Sequence, residues 1–285
     1  MTARRIDGQE VARARHQDIA RRSQAVTKAR GRPPCLAALS IGDDHAWRVY
    51  QRRQRRLCGQ LGLNYHDASL PADCPQDQLL AAIDQLNADE AIDGIIIQAP
   101  LPAGCATDVI QERLCPIKDV EGINPANLGL VVAGRDGFAP CTARAAWTLA
   151  QAAATDVRGM EAVVVGASVI VGRPVAQLLL AAEATVSVCH IATRDLAFHT
   201  RRADLLVVAV GKAGLITADM VRPGAIVIDV GINRIVDAAG QAQTVGDVDP
   251  GVWEVAGALT PVPGGVGSLT TTILVENTVA AAERR

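Results

Sequence analysis

Aromatic side chains are scarce in this 285-residue chain: three Trp, two Tyr and two Phe. The core must therefore be built from Ala, Val, Leu and Ile, and a 49% hydrophobic content is enough to do so. No apolar run reaches the ~18 residues that span a bilayer. Met1-Thr-Ala-Arg-Arg5 is not followed by an apolar stretch, so neither a membrane segment nor a signal peptide is expected. Charge of one sign is lacking too. A formal net charge of −2 argues against a nucleic-acid surface. The seven cysteines form no C-x-x-C pair and the five histidines are scattered. Reduced thiols in a cytoplasmic protein, with no bound metal, are the expectation. There is no G-x-S-x-G elbow, no P-loop and no G-x-G-x-x-G fingerprint.

The organising stretch is Val163-Val-Val-Gly-Ala-Ser-Val-Ile-Val-Gly-Arg-Pro-Val175. It reads as a buried strand over 162–165, a turn from Gly166 to Gly172, and a helix starting near Pro174. A strand feeding a helix through glycines leaves amides free at the helix N-terminus, where they attract phosphate. The Gly-x5-Gly spacing also fits an ordinary strand-to-helix turn. Three further short apolar runs, 184–189, 204–210 and 225–230, are bounded by glycine or charge and suit parallel strands covered on both faces. With helical segments between them, the fold class is α/β, doubly wound, and ligands on such sheets bind at the C-terminal strand ends. Gly166, Gly211 and Gly231 sit at those ends. An NAD site usually carries an acid about 20 residues past the first glycines, but here the second strand ends Cys189-His190-Ile191. Arg173 and Arg194 lie near in sequence, which favours the 2′-phosphate of NADP.

The chain length suggests two domains. In the first half the pattern predicts a helix over 7–30, a strand over 35–41 and a helix capped by Asp43 or Asp44 that runs to about Gly62. A short strand over 63–66 and a helix over 75–87 follow. Tyr50 and Gln54 stand four apart and share a helix face. Arg48, Arg52, Arg53, Arg55 and Arg56 make the same helix strongly basic, and a solvated face is the plain reading for most of them. The run Ile92 to Pro102 is a buried strand ending in Gln98 and a proline turn. Gln98 either points toward the inter-domain space or caps the turn amides. Residues 117–125 read as a loop carrying Asp119 and Glu121, and Pro140-Cys-Thr142 opens a helix. Thr260-Pro-Val-Pro-Gly-Gly-Val-Gly-Ser-Leu-Thr270 is a rigid loop opening a last helix over 269–283. Both glycine-rich loops are expected to line a cleft.

Together these stretches resemble the bifunctional methylenetetrahydrofolate dehydrogenase/cyclohydrolase family almost end to end. The likeness is carried by Gly42-Asp with Val49-Tyr50, Asp93-Gly-Ile-Ile-Ile-Gln-Ala-Pro-Leu-Pro102, Lys118-Asp-Val-Glu-Gly122 and Pro140-Cys-Thr142. It continues through Gly166-Ala-Ser-Val-Ile-Val-Gly-Arg-Pro174, Val227-Ile-Asp-Val-Gly-Ile-Asn233 and Thr260-Pro-Val-Pro-Gly-Gly-Val-Gly267. The resemblance implies a folate-binding α/β domain, residues 1–140 with 268–285, closed by the returning C-terminal helix. It implies a Rossmann-type NADP domain over 141–267, a tetrahydrofolate derivative as substrate or one-carbon donor, and a cytoplasmic homodimer with no membrane or nucleic-acid partner. Tyr50, Gln98, Glu121, Pro263, Gly264 and Gly265 would contact the folate. Gly166, Ser168, Gly172, Arg173, His190, Gly211 and Ile232 would line the cofactor. Tyr50, Gln54 and Gln98 would be the catalytic group.

The departures from the family fall mostly in the folate half. The family lysine one helical turn after the tyrosine is Gln54, the aspartate of Lys-Asp-Val-Asp-Gly is Glu121, and the serine near the start of the tyrosine helix is Trp47. Ile191 replaces a small polar or basic residue, and Ser268-Leu269 stands where Pro-Met is usual. A lysine of lowered pKa can shuttle a proton, and a glutamine cannot. The expectation is a dehydrogenase acting on 5,10-methylenetetrahydrofolate, with cyclohydrolase activity weak or absent. The alternatives are an enzyme that passes the methylene group to another small molecule, or a non-catalytic folate or nucleotide binder.

Overall fold

The computed structural model describes residues 2–42, 45–98, 101, 104–154, 156–236 and 240–285, with only the backbone at 45–47 and 49. Asp43, Asp44, Ala99, Pro100, Pro102 and the Trp47 side chain therefore lie outside the described residues. In chain order the elements are β1 (Arg4–Arg5), α1 (Gly8–Arg30), β2 (Cys35–Ile41), α2 (His45–Gln60), β3 (Asn64–Leu70), α3 (Gln76–Ala88) and β4 (Gly94–Ile97). Then come α4 (Thr107–Arg113), α5 (Pro125–Val132), α6 (Cys141–Ala153), β5 (Glu161–Val165), α7 (Gly172–Ala181), β6 (Thr185–Cys189), α8 (Leu196–Thr200), β7 (Leu205–Val208) and β8 (Ile226–Asp229). The chain ends with β9 (Asn233–Val236), β10 (Ala242–Val245), β11 (Ala258–Leu259) and α9 (Val266–Glu283).

The chain divides into two compact units, residues 1–13 with 142–270, and residues 14–141 with 271–285. In the first unit the strand order is β1-β11-β8-β7-β5-β6, and every pair is parallel. Counting from β5, the order 2-1-3-4-5 is a doubly wound arrangement whose switch point lies between its first and third strands, β5 and β7. Val163, Val165, Leu206, Val208 and Val227 fill one core of this unit. The sequence reading placed the first thirteen residues in the folate domain. They cluster instead with this sheet, because β1 pairs with β11 in register Arg4 to Ala258 and the Ile6 amide donates to the Leu259 carbonyl at 3.0 Å.

The second unit holds the parallel sheet β3-β2-β4. β2 is buried along its whole length. Ala37, Leu39, Ile95 and Ile97 pack with Leu79 and Ile83 of α3. β3 runs to Leu70, longer than expected, since it is an edge strand whose polar residues hide it from a hydrophobicity count. α1 starts as expected from Asp7, whose Oδ1 accepts from the Gln9 and Glu10 amides at 2.8 and 3.1 Å. α7 begins at Gly172, so Pro174 is its third residue, not its first, where its missing donor still costs no helical bond.

Candidate functional site

In the second unit, β2 and β4 end side by side and α2 follows β2. Tyr50 and Gln54 lie one turn apart on α2. Tyr50 is exposed, whereas Gln54 is buried. The Gln54 amide oxygen accepts from Gln98 Nε2 at 3.0 Å and from the Tyr65 hydroxyl at 3.1 Å. Gln98, just past β4, is itself buried, and its backbone amide donates to Leu39 O at 2.8 Å. The Gln98 side chain reaches α2 within the same unit. Tyr65 lies on β3, eleven residues from Gln54, and no local spacing marks it as a partner.

The segment 118–122 continues this sheet end, through an isolated parallel bridge between Ile95 and Asp119. Its three polar side chains divide their tasks. Lys118 is buried, and its ammonium donates to the carbonyls of Leu86, Asn87 and Asp89 at 2.7–2.9 Å, closing the end of α3. Asp119 accepts from the amides of Gly122, Ile123 and Asn124 and from Asn127 Nδ2, so its oxygens are spent inside the loop. The Glu121 backbone carbonyl accepts from the Cys141 amide at 3.0 Å. Burial, helped by the neighbouring Asp119 charge, pushes the Glu121 carboxyl up to about 7.

In the first unit, the turn after β5 sits at the switch point. Gly166 has φ of +114°, which favours glycine, and a Cβ there would overlap the Ala209 carbonyl beside β7. A Cβ on Gly172 would overlap the Gly166 carbonyl, so the two ends of the Gly-x5-Gly turn touch backbone to backbone. Ser168 Oγ accepts from the Val171 and Gly172 amides at 3.2 and 3.4 Å, shaping the entry to α7. Arg173 is exposed, with Nε donating to Ala167 O at 3.0 Å. His190 follows β6 in a tight turn, its amide donating to Thr193 Oγ1 at 2.8 Å and its Nδ1 accepting from the Ala192 amide at 3.2 Å. Ile191 buries nothing, at 105% exposure.

Two buried acids that sequence reading did not single out brace the other strand ends. Asp247 accepts from the Val210 and Gly211 amides at 2.7 and 3.0 Å and from Asn233 Nδ2 at 2.8 Å. Asp229 accepts from the Gly231, Asp247 and Val248 amides. Burial raises the Asp229 carboxyl to about 6, against those hydrogen bonds. Together they fix Gly211 and the segment bearing the exposed Ile232. In the last loop the Gly264 carbonyl accepts from the Gly8 amide at 2.9 Å, while Pro263 is exposed.

A parallel doubly wound sheet with a glycine turn at its switch point, joined to a second α/β unit, defines a two-domain protein of the Rossmann nucleotide-binding class. The model of the tetrahydrofolate dehydrogenase/cyclohydrolase catalytic domain matches residues 6–121, and that of the family's NAD(P)-binding domain matches residues 140–285. A bifunctional protein FolD of Acidithiobacillus ferrooxidans is 48% identical, over 100% of this chain and 98% of its own. The bifunctional FolD methylenetetrahydrofolate dehydrogenase/cyclohydrolase of Campylobacter jejuni superposes with a TM-score of 0.93 at 42% identity, covering 98% of each chain. The Trypanosoma brucei enzyme, solved with NADP and an inhibitor, gives 0.93 at 33% identity, over 100% of this chain and 98% of its own. The chain belongs to the tetrahydrofolate dehydrogenase/cyclohydrolase family.

Proposed function

We propose that this protein is an NADP-dependent 5,10-methylenetetrahydrofolate dehydrogenase in which hydrolysis of the methenyl product is weak or absent. The observation that carries this reading is the buried Gln54 amide, whose oxygen is held by Gln98 and Tyr65. Hydride transfer depends mainly on aligning two bound rings, which a neutral, well-anchored side chain permits. Activating water for hydrolysis needs a group that takes up and releases a proton, and the glutamine amide has none to exchange at neutral pH. In this reading Tyr50 offers a flat apolar face to the folate, Glu121 accepts from its amino edge, and Gln98 aligns the reacting portion. Pro263, Gly264 and Gly265 belong to the same folate group.

The cofactor turn fits a dinucleotide. A Cβ on Gly166 or Gly172 would strike a backbone carbonyl, so glycine at both ends keeps the turn tight where α7 begins. Ser168, Arg173, His190, Gly211 and Ile232 are assigned to the same ligand. Arg173 and the absence of an acid at 190–191 favour a 2′-phosphate. When bound, NADP supplies the hydride acceptor. The folate role goes to residues 14–141 with the C-terminal helix and the NADP role to the doubly wound unit. A homodimer in the cytoplasm is part of the proposal, and seven cysteines free of disulfides support a reducing compartment. Among the described residues no feature favours methylene transfer to another molecule, or a non-catalytic role, over hydride transfer.

Mixing the protein with methylenetetrahydrofolate and NADP should produce NADPH absorbance in proportion to enzyme, with NAD a poorer acceptor. No reduction of either nucleotide would overturn the dehydrogenase assignment, and tighter binding of NAD would overturn the cofactor choice.

A further inference from the structure

α2 carries a second face, turned away from Tyr50 and Gln54 by helical spacing. On it Arg48, Arg52, Arg55 and Arg56 line an open groove of about 650 Å³, walled by the end of β2 and by β3. None of Tyr50, Gln54, Gln98 or Glu121 lines this groove. Its lining among the described residues is unusual for a protein of net charge −2: four arginines against a single acid, Asp67. Asp67 is already committed, paired with Arg55 and accepting from Gln51 Nε2 at 2.9 Å. Arg55 also lies over the Tyr65 ring, 5.4 Å from its centroid. Arg52 and Arg56 have no acidic partner among the described residues, and both are exposed.

Like charges one turn apart oppose each other, and among the described residues no acid pairs with Arg52 or Arg56. An incoming anion would. The guanidinium fork matches carboxylate and phosphate oxygens, two bonds at a time. Ser40 and Ser69 add hydroxyls to the wall. Apart from the arginines, the lining is Ser40, Gly42, Gln51, Asp67 and Ser69, with no aromatic or aliphatic side chain among them. The volume lies within the roughly 300–1,000 Å³ of small-molecule pockets. The occupant is therefore compact and strongly anionic.

We propose that this groove is a second binding site, separate from the Gln54–Gln98 site, for a small multivalent oxyanion bearing successive phosphate or carboxylate groups held by Arg52 and Arg56. The proposal does not rest on the folate reading, because binding is measured directly and without turnover.

The test is calorimetric titration of the full chain with inorganic tripolyphosphate and, separately, with a triglutamate peptide at fixed ionic strength. At least one should bind with a dissociation constant below about 1 mM and weaken as salt is raised. The one that binds identifies phosphate or carboxylate as the natural chemistry, and binding of both identifies recognition by charge. The double substitution Arg52→Gln, Arg56→Gln should weaken binding at least tenfold. Arg53→Gln, on the same helix but outside the groove, should leave it unchanged. Thermal unfolding of each variant checks that the fold is kept, and the exposed, unpaired side chains of Arg52 and Arg56 make retention the expected result. Failure of both anions to bind at 1 mM would overturn the proposal. So would equal loss of binding in the Arg53 variant, or undiminished binding in the double variant.

Discussion

At the scale of single residues, the proposed function turns on two departures from the pattern that the resemblance implies. Gln54 removes a titrating group, and Glu121 adds a methylene to an acid and lifts its pKa to about 7. Burial is the main cause, with the Asp119 charge second. The folded state therefore favours the protonated form. The stability that Glu121 contributes is full below the ordinary glutamate range and is lost as the pH rises through about 7. For the ligand the sign is reversed: the carboxylate that accepts from a folate amino edge is present above about 7 and disappears below it. Folate affinity should then fall as the pH drops through 7, with the inflection missing in Glu121→Gln. Glu121→Ala should weaken folate binding at least about tenfold at pH 8, since a charged hydrogen bond is worth roughly 1.5–3 kcal/mol, and leave NADP binding nearly unchanged. Fluorescence titration with each ligand measures both. Equal folate affinity in the variant would make Glu121 a loop residue only.

At the scale of elements, two local arrangements carry separable predictions. The Gly166–Gly172 contact leaves no room for a side chain at the entry to α7. Gly172→Ala must push the turn apart and should reduce NADP affinity at least tenfold, read by titration, while folate binding to the other unit persists. Unchanged NADP affinity would mean that this turn does not hold the cofactor. The second arrangement is the start of β4, where Asp93 is fully buried. It accepts from Arg30 Nη1 and Arg32 Nη1, each at 2.7 Å, and from the Cys35 amide at 2.9 Å. Burial works to raise this carboxyl, but hydrogen bonds from Arg32, Arg30 and the Cys35 amide outweigh it and hold it below the usual carboxylate range. Its stabilisation is full above that range and is lost as the pH falls through the lowered value. Asp93→Asn should cost about 3–5 kcal/mol in urea unfolding at pH 7, as breaking one side of a buried ion pair does. A loss under 1 kcal/mol would contradict that account.

At the scale of the whole molecule, what could be read from sequence follows from what each element buries. β2, β4, β5, β7 and β8 are short apolar runs because both faces are covered, and they were legible for that reason. β9 and β10 form an antiparallel pair, Asn233 opposite Val245, whose residues are mostly exposed and half of them polar, so hydrophobicity did not reveal it. β1 and β11 are two residues long and exist only through tertiary pairing. Gln54 and Gln98 were legible only as candidates, and their mutual hydrogen bond is a long-range contact. Tyr65 was missed because nothing in an exposed edge strand announces a hydroxyl aimed at a buried amide.

The central claim is that a folate dehydrogenase fold has kept the means to align its substrate while losing the group that moves the proton. The most direct measurement follows the loss of methenyltetrahydrofolate absorbance at neutral pH with and without the unmodified protein. General acid–base assistance typically contributes 10²–10⁴-fold, so without it the two traces should nearly coincide, even at enzyme concentrations that reduce NADP readily. An acceleration proportional to protein concentration, and abolished by Gln98→Ala, would contradict the account and show that a group other than residue 54 handles the proton.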